Sequence, residues 1–215
     1  MVNLEAKKIS HLFPSRWHRI YTSTKLRSDP LYDAVFNELE GSRLPLLDIG
    51  CGLGILAFYL RERGQSFPIK AIDYDRRKIK EASSAVSNYA SLSFDHRDVR
   101  DGIPEFCGNI TLLDTLQFFS AEGQRSLLRA AALSVARGGK IIIRSGINDS
   151  SLRFKLTRLG DRIARATLWM KAAPTCYPDI DFIMEIMQKA GLRGNTRPLW
   201  GKTPFNNYLL VFHRD

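Results

Sequence analysis

A glycine-rich segment directly behind an acidic residue is the part of the sequence with the clearest chemical meaning. Residues 48–54 read DIGCGLG, with three alternating glycines. The short apolar run Pro45–Ile49 predicts a buried strand before the glycines, and apolar positions at helical spacing over Gly52–Arg63 predict a helix after them. Glycine lets the backbone turn sharply and lets a ligand lie against the main chain. Free N–H groups at the start of the helix suit a carboxylate or phosphate, so the segment predicts a ligand-binding loop; a plain glycine-rich turn is the structural alternative.

A dinucleotide is the competing ligand for such a loop. The dinucleotide fingerprint places glycines at the first, third and sixth positions. Counted from Gly50, the sixth position is Ile55, and the third glycine comes one residue early, at Gly54. The spacing therefore weighs against a dinucleotide.

Short apolar strands alternate with helical stretches around this loop, which predicts an α/β fold with a parallel sheet covered on both faces. The predicted strands are 45–49, 68–73, 92–97, 109–113, 140–144, 194–199 and 207–213. The predicted helices are 29–40, 52–63, 75–88, 121–136, 149–169 and 179–190, and Asp75 is the expected N-cap of the third of these. The sequence contains no internal repeat, low-complexity tract or linker, which predicts a single domain.

The DIGCGLG segment resembles the first motif of the class I S-adenosylmethionine-dependent methyltransferases, D/E-x-G-x-G-x-G, at every fixed position. The resemblance is clear over residues 44–145 and extends to the remainder by topology. It implies a Rossmann-like three-layer sandwich whose mostly parallel seven-stranded sheet has an antiparallel last strand. It further implies an enzyme that uses S-adenosyl-L-methionine, releases S-adenosyl-L-homocysteine and needs no metal. Within one methyltransferase domain, residues 1–42 would form an N-terminal helical cap, 43–145 the cofactor-binding core, and 146–215 the acceptor-side helices and closing hairpin.

The resemblance also assigns the first residues that contact the cofactor. The loop from Asp48 to Gly54 would hold the methionine end, and Asp73, ending the second strand, would bind both ribose hydroxyls. Tyr74 would pack on the adenine. A helix-capping role is the structural alternative for Asp73, but Asp75 already fills that role.

A third acid of the family binds the adenine amino group, and Asp98 with Val99 fits that position. Asp95 and Asp101 compete with Asp98 for this role. The structural alternative is that Asp98 is an acidic residue of a surface loop without a binding role. Asp114, ending the fourth strand, would border the sulfonium and the acceptor. The residues implied to bind the cofactor are Asp48, Gly50, Cys51, Gly52, Gly54, Asp73, Tyr74, Asp98, Val99 and Asp114.

The segment after the fourth strand bears on the acceptor. It reads DTLQFF over residues 114–119, and it lacks the Asn/Asp-Pro-Pro-aromatic motif that DNA and RNA amino-methylating relatives use on a flipped base. It resembles small-molecule methyltransferases, which often have His where this chain has Gln117. We therefore expect a small, partly apolar acceptor, phenolic or acyl-type, methylated at oxygen. An RNA methyltransferase and a cofactor-binding module without turnover are the alternatives.

Three side chains are candidates for catalysis: His18, Asp149 and Gln117. Histidines at such positions are most often packed or solvated, which is the structural alternative for His18. The loop at residues 200–207 would emerge at the acceptor edge if the sixth strand is parallel; otherwise it is a plain hairpin loop. This loop, together with the segment around Tyr21 and Lys25, resembles small bacterial methyltransferases associated with aryl-polyene and fatty-acid-like assembly genes.

The chain is basic, with 32 Lys and Arg against 22 Asp and Glu and a net charge of +10. Between Arg153 and Lys171 lie six basic residues and a single acid, Asp161. A helix would align the following basic residues on one face, next to an apolar face: Lys155, Arg158, Arg162 and Arg165. A solvated helix is the default interpretation of this pattern. As a partner we expect an acidic carrier protein or an anionic membrane surface ahead of nucleic acid.

Composition and cysteine content limit the class and compartment. With 215 residues, of which 44% are hydrophobic and 25% charged, the chain is neither disordered nor a disulfide-stapled miniprotein. Its start lacks the apolar core of a signal peptide. We expect three buried, inert and reduced thiols in a cytoplasmic protein; they are Cys51, Cys107 and Cys176.

Overall fold

The computed structural model describes residues 2–149, 151–166 and 174–215. Helices and strands alternate along them. The helices are α1 (Val2–His11), α2 (Arg16–Ser28), α3 (Leu31–Leu39), α4 (Ile55–Glu62), α5 (Arg76–Ala85), α6 (Ala121–Ser134), α7 (Leu152–Ala166) and α8 (Ile180–Lys189). The strands are β1 (Leu46–Ile49), β2 (Ile69–Asp73), β3 (Leu92–His96), β4 (Asn109–Leu113), β5 (Lys140–Gly146), β6 (Arg193–Pro198) and β7 (Asn207–His213).

The strands form one seven-stranded sheet in the order β3-β2-β1-β4-β5-β7-β6. β1, β2 and β3 pair in parallel, as do β4 and β5. β7 is antiparallel to both β5 and β6, so β6 runs in the same direction as β5. The predicted fold class, α/β and Rossmann-like with an antiparallel last strand, is confirmed.

The chain divides into two compact units, Met1–Val99 and Arg100–Asp215. In the first unit, β1 is buried at all four positions, including the acidic Asp48. Its register with β2 pairs Asp48 with Ala71. Burial on both faces explains why β1 is a continuous apolar run rather than an alternating one.

The first unit begins with three helices in the region where an N-terminal helical cap was expected. α3 agrees with the predicted helix at 29–40, whereas the bounds of α1 and α2 were not predicted. The buried residues of α2 are Thr22 and Leu26, too few to give an apolar periodicity. A capping signal for α2 does exist, because the Ser15 side chain accepts a hydrogen bond from the His18 N–H at 3.4 Å.

In the second unit, β5 is longer than predicted. The polar Ser145 and Gly146 extend it, and they pair with Tyr208 and Asn207 of β7. All of β5 beyond Lys140 is buried. Periodicity alone missed these two residues because neither is a strand-forming apolar type.

Helix α7 begins at Leu152, three residues after the predicted start. Asp149 lies before the helix, where its Oδ1 accepts a hydrogen bond from the Ser151 N–H at 3.0 Å. The predicted extension from residue 167 to Trp169 lies outside the described residues, as does the predicted basic stretch from there to Lys171. Phe154 and Thr157 are the side chains that α7 buries in the described part.

No helix in the described ranges is long and apolar enough to cross a membrane. The three cysteines form no disulfide. The expectation that all three are buried is wrong for Cys107, which is exposed, whereas Cys51 and Cys176 are half-buried. Cys107 precedes β4, outside the buried strand itself.

Candidate active site

The loop between β1 and α4 contains the three glycines of the DIGCGLG segment, each in the left-handed region of backbone conformation. Their φ angles are +79° at Gly50, +57° at Gly52 and +73° at Gly54. A residue with a Cβ pays about 1–2 kcal/mol in this conformation. The alternation of glycines therefore follows from the backbone path, which turns out of β1 and into α4 within five residues.

Gly54 has a second, packing-based reason to be glycine. A Cβ at this position would lie 2.3 Å from Cε1 of Phe94, on β3. Phe94 is buried and packs against Phe58 of α4 with ring centroids 5.4 Å apart. The missing side chain at Gly54 thus lets the start of α4 approach the aromatic cluster under it.

Gly52 faces open space instead. A Cβ built there has no protein atom within 4 Å among the described residues. A side chain would therefore occupy room that the protein itself leaves beside the loop. An adenosyl-type ligand needs such open space against the main chain, next to the positive N-terminal end of a helix such as α4. The residues of this loop therefore fit S-adenosylmethionine.

Asp73, at the carboxyl end of β2, is tied to this loop. Its Oδ2 accepts a hydrogen bond from the Gly52 N–H at 2.8 Å, and its Oδ1 accepts one from the Asp75 N–H at 2.7 Å. The carboxylate is 8% exposed. Each oxygen keeps a further lone pair for a ligand hydroxyl.

The division of roles between Asp73 and Asp75 agrees with the sequence analysis. Asp75 is the N-cap of α5, accepting a hydrogen bond from the Arg77 N–H at 3.0 Å. Asp73 is thereby left to fix the glycine loop. Its predicted contact with the ribose stays a prediction.

Cys51 lies inside the loop with a neutral thiol. Burial raises the pKa of Cys51 well above its ordinary value, and the negative charges of Asp48 and Asp73 raise it further. Asp48 is itself buried, at 2% exposure. A thiol in this setting is not a nucleophile, which supports the inert role expected for it.

The predicted adenine-binding residues follow the ends of β2 and β3. Tyr74 is 39% exposed, and its carbonyl oxygen is 3.0 Å from Nε2 of His96. Asp98 and Val99 are half-buried, and Val99 begins a short 3-10 turn. The competing Asp95 lies 3.3 Å from the Lys70 ammonium, which gives that carboxylate a salt bridge of its own.

In the second unit, Asp114 follows β4 with a φ of +54°, unusual for a residue other than glycine. Its carboxylate forms an ion pair and hydrogen bond with the guanidinium of Arg144, on β5. Arg144 is a residue of this site that the sequence alone did not indicate. The available signal was a basic residue at the end of the run KIIIR, where a parallel strand is buried on both faces.

Gln117 lies in a short 3-10 turn, Leu116–Phe118, directly after Asp114. Its backbone carbonyl accepts hydrogen bonds from the N–H groups of Thr175, at 2.7 Å, and Cys176, at 3.2 Å. Its side chain is buried, and among the described residues Oε1 has no hydrogen-bond donor. A buried amide oxygen without a donor costs free energy, so the arrangement is suited to accepting a hydrogen bond from a ligand.

The other two candidates for catalysis, His18 and Asp149, have protein partners. Nδ1 of His18 is 2.7 Å from Oε1 of Glu81 on α5, and its ring packs edge-on against Phe13. This pair connects α2 to α5. Burial alone would raise the pKa of Asp149, but hydrogen bonds from Ser151 and Asn206 bring it below its ordinary value. Asp149 is therefore a weaker proton acceptor than a free aspartate.

The loop between β6 and β7 is held against α7. Because β6 runs parallel to β5, the loop starts at the same end of the strands as the carboxyl end of β5. The Arg153 guanidinium donates to the Thr203 carbonyl at 2.9 Å and lies 4.5 Å from the centre of the Trp200 ring. Asn206 Nδ2 donates to the Ile147 carbonyl at 2.9 Å. The loop is therefore fixed to its neighbours, as an acceptor-side wall would be.

Within the part of the chain that the structure describes, no group of three or more His, Cys, Asp or Glu side chains comes together in a way that could hold a metal ion.

A methyltransferase-domain family profile matches residues 16–196, most of the chain, and the protein belongs to that family. It is a class I S-adenosylmethionine-dependent methyltransferase, an enzyme with a Rossmann-like fold, and S-adenosyl-L-methionine is its cofactor. No functionally curated protein matches the sequence significantly.

Several solved structures with the same fold are named as methyltransferases. Magnesium protoporphyrin IX methyltransferase from Synechocystis PCC 6803, with bound S-adenosylhomocysteine, superposes with a TM-score of 0.65 at 15% identity, covering 98% of this chain and 86% of its own. An O-methyltransferase family protein from Burkholderia thailandensis gives 0.64 at 15% identity, covering 97% and 63%. The mitomycin 7-O-methyltransferase gives 0.68 at 13% identity, covering 98% and 60%. The present chain spans less than two thirds of the latter two proteins.

Proposed function

We propose that this methyltransferase methylates the hydroxyl oxygen of a small, partly apolar acceptor, and that the acceptor is a phenol. The observation that carries the proposal is the buried Oε1 of Gln117, which has no donor among the described residues. A hydroxyl group supplies such a donor. The same hydroxyl oxygen keeps lone pairs for attack on a methyl group.

When bound, S-adenosylmethionine supplies a sulfonium methyl group that is already activated for transfer. The protein then has to place the nucleophile in line, and orientation accounts for most of the reduction of the barrier. The glycine loop and Asp73 would hold the cofactor. Gln117 would orient the acceptor hydroxyl by accepting its hydrogen bond, and the hydroxyl proton would be released to solvent as the methyl ether forms.

The weakness of the available bases favours a phenol over an alcohol. Gln117 cannot take up a proton, and although burial acts in the opposite direction, hydrogen bonds lower the pKa of Asp149. A phenol ionises at a pKa of about 10, so it needs less help from a base than an aliphatic hydroxyl does. An acyl-type acceptor is the alternative; its carboxylate ionises without a base, but it then has no hydrogen to donate to Gln117.

Two of the structural relatives are named as O-methyltransferases, and this supports methylation at oxygen.

A cytoplasmic location is also proposed, since all three cysteines are free thiols. An RNA acceptor is the second candidate, and the net charge of +10 favours it.

The experiment compares acceptors under single-turnover conditions with methyl-labelled cofactor. The panel contains a catechol, a simple alkanol, a fatty acid and transfer RNA. We expect label in the catechol ether and none in the alkanol. Label in RNA with none in the phenol would overturn the proposal, and cofactor binding without label in any acceptor would indicate a module without turnover.

A pair of glutamine variants tests the role of Gln117 directly. Gln117→Leu should reduce kcat/KM for the phenol about tenfold, the usual effect of losing a neutral hydrogen bond. Gln188→Leu, at an exposed position on α8, is the matched control and should retain full activity. Equal activity of the two variants would remove Gln117 from the acceptor site.

A further inference from the structure

Helix α7 exposes a row of leucines on its outer side. Leu152, Leu156 and Leu159 are 77%, 46% and 51% exposed. Their spacing of four and three residues places them on one helical face. The side chains that α7 buries, Phe154 and Thr157, lie on the opposite face. The leucine row is therefore directed away from the core of its unit.

Basic residues border this row. Lys155 and Arg158 are both exposed. In the sequence, residues 153–171 contain six basic residues and one acid. A helix face of leucines next to lysine and arginine is the pattern of helices that lie in the interface of an anionic bilayer.

The loop between β6 and β7 widens the same surface. The Phe205 ring is 36% exposed and lies against α7 at Gly160, where a Cβ would come within 2.8 Å of its Cε1. Glycine in the helix thus makes room for an aromatic ring next to the leucines. Lys202, in the same loop, is exposed and adds a further positive charge.

We propose that the outer face of α7, formed by Leu152, Leu156 and Leu159 with Lys155, Arg158 and Phe205, docks onto an anionic membrane surface. Apolar side chains would enter the boundary of the acyl chains, and the basic side chains would contact lipid headgroups. This inference is independent of the identity of the acceptor.

A bilayer fits this surface better than an acidic carrier protein does. The three exposed leucines share one face of a single helix, and the exposed Lys155 and Arg158 lie beside them. A flat lipid surface buries all three leucines at once. A carrier protein bound through ion pairs would leave those leucines without a role.

The test is co-sedimentation of the full-length protein with lipid vesicles. One set of vesicles contains phosphatidylcholine alone, and the other contains phosphatidylcholine with phosphatidylglycerol. We expect binding to the second set, weakened by added salt because exposed charges are screened. Immobilised polyglutamate serves as the probe for an acidic protein partner.

Variants distinguish binding through the leucine row from non-specific hydrophobic adsorption to the vesicles. L152S/L159S should weaken vesicle binding at least about tenfold, since two leucines no longer enter the bilayer. K155Q/R158Q should weaken binding to anionic vesicles about 25-fold, roughly fivefold for each charge. The control L133S removes a leucine that is 85% exposed on α6, and it should bind as the wild type does.

Two results would overturn the proposal. One is that the wild-type protein stays in the supernatant with both vesicle types. This result overturns the proposal also when immobilised polyglutamate retains the protein, because the partner is then acidic protein rather than lipid. The other is L133S losing as much binding as L152S/L159S. All substituted residues are exposed, so a thermal melt matching that of the wild type would show that each variant is folded.

Discussion

Arg144 and Asp114 form an ion pair between neighbouring strands in which one partner is buried and the other is not. The Arg144 side chain is 2% exposed, whereas that of Asp114 is 35% exposed. A guanidinium inside a sheet requires a nearby carboxylate, because an uncompensated buried charge is costly. Asp114 meets this requirement from a left-handed backbone position at the end of β4.

Asp114→Asn should therefore lower the free energy of unfolding by about 1–3 kcal/mol, less than the cost of breaking a fully buried pair, because Asp114 is partly exposed. Urea unfolding checks this value. The double variant Asp114→Asn/Arg144→Met should recover part of the loss, since it also removes the buried charge. Strictly additive losses in the double-mutant cycle would show that the two residues act independently.

Asp73→Asn tests the assigned cofactor carboxylate. Loss of its charge should weaken S-adenosylhomocysteine binding about 10- to 100-fold, because hydrogen bonds to charged groups contribute roughly 1.5–3 kcal/mol each. Isothermal calorimetry gives the affinity. Asp75→Asn is the control; asparagine caps a helix about as well as aspartate, so this variant should keep the affinity of the wild type. Unchanged affinity in Asp73→Asn would remove this residue from the ribose site.

Gly52 and Gly64 form a matched pair for testing the open space beside the glycine loop. Both have positive φ, +57° and +85°, and a Cβ at either position has no protein atom within 4 Å. Alanine at each should cost a similar 1–2 kcal/mol of stability through backbone strain alone. Gly52→Ala should in addition abolish binding of S-adenosylhomocysteine, whereas Gly64→Ala, at the end of α4, should bind normally. Equal affinities would show that no ligand lies against Gly52.

Local patterns were sufficient to predict the sheet and the glycine loop. β4 and β7 have the predicted bounds, and β1 and β2 differ by one residue at the start. Buried parallel strands are apolar throughout, so their positions are visible in the sequence. Within the expected N-terminal helical cap, the bounds of α2 were not visible in the sequence, because its buried residues, Thr22 and Leu26, are too few to give an apolar periodicity.

Parts of the site depend on contacts between distant residues and could not be predicted from local patterns. Nothing next to Gln117 shows that its side chain is buried without a donor, since this depends on the packing around it. The pairing of Arg144 with Asp114 requires the register of two strands. The leucines of α7 were expected beside a basic face, but which side of the helix faces the core depends on Phe154 and Thr157.

Cys51 should make both labelling and stability depend on pH. Its raised pKa keeps the thiol protonated at neutral pH, so iodoacetamide should modify the exposed Cys107 first and Cys51 only in markedly alkaline solution. Because the folded state favours the protonated thiol, the contribution of Cys51 to stability is fully present below the unfolded pKa of about 8.5 and declines as the pH rises above it. Cys51→Ala should therefore flatten the alkaline loss of stability measured by urea unfolding, and Cys107→Ala should leave it unchanged. Rapid alkylation of Cys51 at neutral pH in peptide mass mapping would contradict the neutral thiol.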